Sequence, residues 1–329
     1  MNKVAVVGFG FMGMTHSLNI LKNPELDLVA IIDKDIESID KKLRQPEGNF
    51  STGEIDPDKI KKVNKYHSIS DCISKEDIDA VHVCVHTDLH YRITKESLEA
   101  GKHVLIEKPF SLNIEECREL IKMAEEKGLI MMVAHVLRFL PPYLKLRSWI
   151  KTEEYGKLKF LSLNRFSGLP IWGQWVEKQS SFGSSGGALF DLLIHDIDYL
   201  NFVFGKPIMI NSKYFPGKLS EHDYISAWWE YPGFMVKVEG GNTFHSNFPF
   251  QAGFMAEFDK ASVLYSTNDP DNIQVSNQDD NKRIELEPED GFYNEIDYFK
   301  NCIKNNSKPD LCSPESALGS IELCYQHLK

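Results

Sequence analysis

Three glycines stand in the order Gly8-Phe9-Gly10-Phe11-Met12-Gly13, directly after the apolar run Val4-Ala5-Val6-Val7 and directly before a helical pattern. At this spacing a chain can turn tightly, bring bare backbone against a diphosphate and pack the following helix on the strand it has just left. Gly8 permits the turn, Gly10 admits the pyrophosphate and Gly13 lets helix meet strand. The N–H groups and positive dipole end of the helix then attract the phosphates. Phe9, Phe11 and Met12 lie between the glycines and belong to the same cofactor-binding set. Asp33 closes the next strand at the expected interval of about 20 residues. Its carboxylate suits ribose hydroxyls and repels a 2′-phosphate, which favours NAD over NADP. Lys34 follows directly and softens that preference. An ordinary strand-to-helix turn is the plain alternative, and the strand, helix and acid found in their places weigh against it.

A second group of residues suits proton transfer. Asp191 and His195 are four apart and so share one face of a helix. A carboxylate beside an imidazole orients it and favours its protonated form, and histidine titrates near neutral pH. Lys108, in Glu107-Lys108-Pro109, lies just past a strand end, where ligands of open α/β sheets sit. Its ammonium can hydrogen-bond a reacting oxygen and stabilise alkoxide charge. Taken singly, these features have plainer readings: a helical Asp/His pair is more often a surface ion pair, and Lys-Pro after a strand is usually a turn. Asp196 and Asp198 read as solvated or helix-packing residues, and His82, alternating within a strand, as structural.

The elements that must position these groups are visible in the patterning. Val4 to Val7, Leu28 to Ile32, Ala80 to Val85, His103 to Ile106 and Leu129 to Val133 read as buried parallel strands. His90 to Ala100 and Asn113 to Lys127 read as helices, with Gly101 and Gly128 as their stops. Such alternation gives βαβ units and a parallel sheet, an α/β fold. Residues 44 to 62 read as a polar loop or insertion. Beyond Pro141-Pro142 a helix through Tyr143 to Ile150 leads into consecutive strands: Leu158 to Phe166, Met209 to Phe215, Tyr224 to Tyr231, Met235 to Glu239, Phe254 to Phe258, Ser262 to Tyr265 and Arg283 to Leu286. Pro232-Gly233 and Gly240-Gly241-Asn242 read as turns between them. Helices are expected at Gly187 to Phe204, Asn294 to Lys304 and Ser316 to His327. The boundary falls at 138/139: residues 1–138 form a dinucleotide-binding domain, and residues 139–329 an α+β domain for substrate binding and oligomerisation, its sheet antiparallel or mixed.

Bulk composition narrows the function. With 329 residues, 42% hydrophobic and 26% charged, the chain is ordinary globular material for about two domains. A net charge of -11 disfavours nucleic acid and anionic membrane surfaces as partners. The six cysteines include no C-x-x-C pair and no ligand spacing for zinc, so reduced thiols, no metal and a cytoplasmic location are expected. No apolar stretch reaches the roughly 18 residues that span a bilayer.

Three stretches together resemble the glucose-fructose oxidoreductase / inositol dehydrogenase family (Gfo/Idh/MocA): Val4 to His16, Ala100 to Pro109, and Gly186-Gly-Ala-Leu-Phe-Asp-Leu-Leu-Ile-His-Asp-Ile-Asp198. The resemblance implies a doubly wound Rossmann domain followed by a domain on an open mixed sheet, and substrates that are sugars, inositols or related polyols. It matches Lys108, Asp191 and His195 to the catalytic positions. It places Val85, His86 and His90 beside the cofactor, with His86 standing where the family usually has proline. Glu107 is expected to hold backbone or the nicotinamide ribose, with a plain surface carboxylate as the alternative. Arg138 lies in a segment, His135 to Phe139, that passes near the nicotinamide end. His135 either lines the site or is a core histidine. Arg165 and Trp172 are candidates for substrate contact; Trp172 and Trp175 serve equally as packing residues. Trp228 and Trp229 point to opposite faces of a strand, which suggests a homodimer or homotetramer covering one of them. The expected activity is reversible transfer of hydride between a secondary hydroxyl of a sugar or polyol and NAD. The alternatives are a non-catalytic dinucleotide- and sugar-binding regulator, or tightly held NAD recycled in sugar-to-sugar exchange or glycoside cleavage.

Overall fold

The computed structural model describes residues 2–44, 56–170 and 185–329. Six strands, β1 (Asn2–Val7), β2 (Leu26–Ile32), β3 (Asn64–Tyr66), β4 (Ala80–Val83), β5 (His103–Glu107) and β6 (Met131–Ala134), pair in parallel in the order β3-β2-β1-β4-β5-β6. Helices α1 (Phe11–Lys22), α2 (Ile39–Arg44), α3 (Pro57–Lys61), α4 (Ile69–Lys75), α5 (His90–Glu99) and α6 (Ile114–Glu126) run between them. Every residue of β4 and β6 is buried, as strands of a sheet with both faces covered require. This is the doubly wound order that reverses between β1 and β4.

Two polar pieces differ from expectation. The stretch expected as a loop contains α3, whose first turn is capped by the Asp56 carboxylate accepting from the Asp58 N–H at 2.9 Å; residues 45–55 of that stretch lie outside the described residues. β3 and α4 were not foreseen. Asn64-Lys65-Tyr66 carries no apolar run because it is an edge strand of three residues, and α4 is announced only by its Ser68 cap.

The second sheet has eight strands: β7 (Leu158–Gly168), β8 (Met209–Phe215), β9 (Tyr224–Tyr231), β10 (Phe234–Phe244), β11 (Gln251–Phe258), β12 (Ser262–Ser266), β13 (Asn272–Ser276) and β14 (Asn281–Glu285). Their order is β14-β13-β12-β11-β7-β10-β9-β8, and only β7 with β10 is a parallel pair. Helices α7 (Pro141–Thr152) and α8 (Ile194–Phe204) accompany it, and α9 (Gly291–Asn305) and α10 (Pro314–Gln326) close the chain. Pro232-Gly233 is the expected hairpin turn, with Gly233 at φ 90°. The expected turn at Gly240-Gly241-Asn242 is instead continuous strand within β10. A Cβ on Gly240 would meet the Arg165 carbonyl at 2.4 Å and Leu193 Cδ1 at 2.8 Å, so this glycine marks a close approach of neighbouring chain.

The chain divides into two compact units, Met1–His135 with Phe292–Leu318, and Val136–Gly291 with Gly319–Lys329. This differs from a single boundary at 138/139, since most of α9 belongs with the first unit. The reason is electrostatic as well as apolar. Lys300 Nζ donates to Glu25 Oε2 at 2.8 Å and to Asp297 Oδ1 at 2.6 Å, while Asn23 donates to the same Asp297 oxygen at 2.7 Å. Hydrogen bonds from Lys300 and Lys304 hold the Glu25 carboxyl down at about 2. Phe299, buried on α9, meets the His82 ring edge-on at 5.7 Å.

Candidate cofactor cradle and catalytic segment

The glycine-rich turn is built by exclusion. Gly8 adopts φ 90°, and a Cβ there would stand 2.5 Å from the Cys84 carbonyl. At Gly13 a Cβ would fall 1.8 Å from the Gly8 carbonyl, which leaves no room for anything but glycine where α1 crosses the turn. At Gly10, by contrast, a Cβ would have nothing within 4 Å. Gly8 and Gly13 are demanded by the protein itself. Gly10, the N-cap residue of α1, instead opens onto free space at the start of that helix. Phe9 is fully buried. Its N–H donates to Asp33 Oδ2 at 2.7 Å, the Gly8 N–H donates to the Ile32 carbonyl at 2.7 Å, and Lys42 Nζ reaches Asp33 Oδ2 at 3.2 Å. Asp33 thus locks the turn to the end of β2, and Lys34 beside it is exposed. Phe11 and Met12 are half-buried at the start of α1. A dinucleotide fits this cradle: open space at Gly10, a dipole end for its phosphates and a carboxylate at the end of β2.

At the carboxyl end of β4, Val85 and His86 are half-buried. His86 takes φ −67° and ψ 147°, a conformation proline adopts freely, so a residue other than proline is accommodated without changing the backbone. Its Nδ1 lies 3.0 Å from Asp88 Oδ1. His90 is buried, and its ring nitrogens lie 2.8 Å from the Pro109 carbonyl and 3.0 Å from the Val85 carbonyl. The ring therefore braces backbone around the cradle.

At the end of β5, Glu107 is only 6% exposed, which excludes the surface-carboxylate reading. Its Oε1 pairs with His16 Nε2 at 2.9 Å and its Oε2 accepts from the Lys108 N–H at 3.2 Å. His16 Nδ1 in turn meets His82 Nδ1 at 3.0 Å. Burial, and then the neighbouring His16, hold the His82 pKa well below the usual imidazole range, so His82 is a neutral core histidine. His16 was not assigned a role from sequence. Its only signal is a histidine on the core-facing side of a helix that carries a glycine turn. Lys108 is half-buried beside this chain of buried groups.

In the second unit the expected catalytic residues lie on a helix of unusual form. Leu189–Leu193 is a π-helical turn that runs directly into α8; such turns carry one residue more than an α-helix allows and recur at functional sites. From Gly187 to Leu200 every residue is buried except Asp191 and His195, both half-buried. The two next acids are fixed inward. Asp198 receives Arg138 through Nε at 2.8 Å and Nη2 at 2.6 Å, with Ser320 Oγ at 2.8 Å. Asp196 receives Arg165 through Nε at 2.7 Å and Nη2 at 3.1 Å. The solvated reading of Asp196 and Asp198 is therefore wrong, and the packing reading holds, because two buried bidentate pairs set the rotation of α8. Burial pushes the Asp196 carboxyl up against the opposing pull of Arg165. Arg165, a candidate for substrate contact, is 6% exposed and committed to Asp196 and the Tyr143 hydroxyl, and Arg138 has the same anchoring role. His135 is 1% exposed. Trp172 and Trp175 lie outside the described residues. Among the described residues no group of three or more His, Cys, Asp and Glu could hold a metal ion, and no helix is long and apolar enough to cross a membrane. All six cysteines are buried and unbridged.

Comparison with known proteins agrees with both halves of this description. The oxidoreductase family model with an NAD-binding Rossmann fold matches residues 2–135, and the GFO/IDH/MocA C-terminal domain matches residues 143–263. Oxidoreductase YrbE of Bacillus subtilis (strain 168) is 26% identical over 203 residues, 62% of this chain and 54% of that protein. The chain thus spans about half the length of such a curated relative. The scyllo-inositol 2-dehydrogenase (NADP(+)) IolW of the same organism is 26% identical over 253 residues, 75% of this chain and 64% of that protein. Among solved structures, UDP-N-acetylglucosamine 3-dehydrogenase GnnA from Acidithiobacillus ferrooxidans superposes with a TM-score of 0.78 at 19% identity, covering 99% of this chain and 96% of that one; this is a likeness of fold. With family models on both units, the chain belongs to the Gfo/Idh/MocA oxidoreductases, and its amino-terminal unit is an NAD-binding Rossmann fold.

Proposed function

We propose that the protein moves hydride between a secondary hydroxyl of a sugar, inositol or related polyol and NAD, with Lys108, Asp191 and His195 as the reacting protein groups. One observation carries the reading: along the buried stretch Gly187–Leu200, the only side chains left partly open are a carboxylate and an imidazole. An outward-facing ion pair would also leave two such groups open; in a chain of this family the same pair supplies the base that alcohol oxidation requires.

Gly8, Gly10, Gly13 and Asp33 hold the dinucleotide, which when bound supplies the hydride acceptor. His195 takes the hydroxyl proton, and Asp191 orients the imidazole and favours the imidazolium that results. Lys108 donates to the reacting oxygen and stabilises its developing negative charge. Asp33 favours NAD; Lys34 and Lys42 nearby leave NADP a weaker ligand. The test is a panel of inositols, sugars and sugar derivatives, following reduced-cofactor absorbance with NAD and NADP separately. Turnover on a polyol that is lost in His195→Ala supports the reading. No turnover on any panel member, with tight dinucleotide binding intact, overturns it.

We also propose that the protein works as a homo-oligomer. Trp228, Met235, Met255 and Leu264, 40–48% exposed, share the sheet face opposite the buried Trp229, as the registers of β9 to β12 require. An apolar face of this kind fits a second copy of the chain. Light scattering on wild type and Trp228→Lys decides it.

A further inference from the structure

His90 stands at a junction that the chemistry proposed above does not use. Its ring is buried, with Nδ1 2.8 Å from the Pro109 carbonyl and Nε2 3.0 Å from the Val85 carbonyl. These carbonyls belong to two different loops, one following β5 and containing Lys108, the other following β4. The second loop also backs the glycine-rich turn, since the space beside Gly8 is filled by the Cys84 carbonyl and Val85 Cγ1. One side chain at the start of α5 thus joins the carboxyl ends of β4 and β5.

The bonding is demanding. A neutral imidazole has one N–H and can satisfy one carbonyl; only the imidazolium satisfies both. Burial is the larger influence and holds the His90 pKa below the usual imidazole range, against the opposing pull of the two carbonyls and the Glu107 carboxylate on β5, so the neutral ring donates to one carbonyl and stands against the other. A buried polar ring costs stability wherever its bonds are not made, and an apolar side chain would fill the same space without that cost. What an apolar side chain cannot do is hydrogen-bond either loop.

We propose that His90 is a positioning residue for Lys108: wedged between the Pro109 and Val85 carbonyls and donating to one of them, it holds the loop that presents the Lys108 ammonium in fixed relation to the loop backing the dinucleotide turn. Glu107 fixes the peptide on the other side of Lys108, by accepting the Lys108 N–H while His16 holds its second oxygen. Lys108 is therefore anchored through both of its chain neighbours. The inference rests on the reading of Lys108 as a reacting group, and its test separates the two.

His90→Gln, His90→Ala, Lys108→Ala and the two double variants are compared by turnover at saturating NAD and by hydrogen exchange of backbone amides. The exchange arm needs no activity. Peptides covering residues 84–87 and 107–111 are expected to exchange faster in the His90 variants than in wild type, with β1 and β6 unchanged and Gln intermediate. Unaltered protection of both loops in folded variants overturns the tie whatever Lys108 does. In the kinetic arm, His90→Ala is expected to lower kcat by about 10- to 100-fold, as displaced catalytic groups do, and by less than about twofold when Lys108 is already alanine. Equal losses in both backgrounds overturn the link to Lys108. Should Lys108→Ala turn over at the wild-type rate, the reading of the site falls, and the exchange arm still judges the tie. If His90→Ala fails to fold, His90→Gln carries both arms.

Discussion

The N–H of Phe9, buried inside the glycine-rich turn, donates to Asp33 Oδ2 at 2.7 Å. One carboxylate thus closes the turn and stands ready for a ribose. Asp33→Ala is expected to weaken NADH by about 10- to 100-fold, the cost of losing hydrogen bonds to a charged group. NADPH should lose less, because the repulsion of its 2′-phosphate goes too. Fluorescence titration with both cofactors checks this, and an equal loss for the two would show that Asp33 acts only through Phe9.

Gly10 and Gly13 predict opposite outcomes from the same substitution. Gly13→Ala drives a methyl to 1.8 Å from the Gly8 carbonyl, and should destabilise the fold by about 3 kcal/mol or more. Gly10→Ala has open space and φ −88°, so the melting temperature should stay near wild type, within about 0.5 kcal/mol. Its NADH affinity should nevertheless fall sharply, because the new methyl stands where phosphate belongs. Thermal melts with and without NADH separate the two.

His195→Ala should cut turnover by about two to four orders of magnitude, as loss of a general base does, while NADH affinity stays close to wild type. Asp191→Asn should cut it less and change the pH profile of kcat if, as proposed, the carboxylate favours the charged imidazole. Turnover surviving in His195→Ala would remove this residue from the mechanism.

A pH effect on stability follows from His327. Its Nδ1–H donates to the Leu323 carbonyl at 2.8 Å and its Nε2 accepts from Trp229 Nε1 at 3.0 Å, a bonding pattern that only the neutral ring satisfies. Burial lowers its pKa from 6.5 to about 4. The unfolded chain therefore takes up a proton first as pH falls. The contribution is complete above 6.5, declines towards 4 and reaches about 3 kcal/mol in all. Denaturant unfolding of wild type and His327→Gln across that range checks it; parallel acid limbs in the two proteins would contradict it.

What could be read without coordinates follows from how strongly each element is patterned. Buried strands such as β4 and β9 announced themselves through continuous or alternating apolar residues. Asn64–Tyr66 did not, because an edge strand held by backbone pairing needs no such run. The glycines of β10 mislead in the same way: Gly240 and Gly241 look like a turn, yet they are small because Arg165 and Asp223 backbone lies against them. At the site, Gly8, Gly13 and Asp33 were legible from spacing. The acids Asp196 and Asp198 were not, since their partners Arg165 and Arg138 are 31 and 60 residues away. A π-turn leaves no mark in residue types at all.

Residues Phe292–Leu318 lie with the first unit although they come last but one in the chain. Cutting the gene after residue 135 would therefore not release a free nucleotide-binding module. Such a fragment would bare the Glu25 and Asn23 side chains and lose the Phe299 ring from beside His82. Anyone wishing to swap this unit onto another relative must carry the returning helix with it, and grafts that omit it should yield insoluble protein.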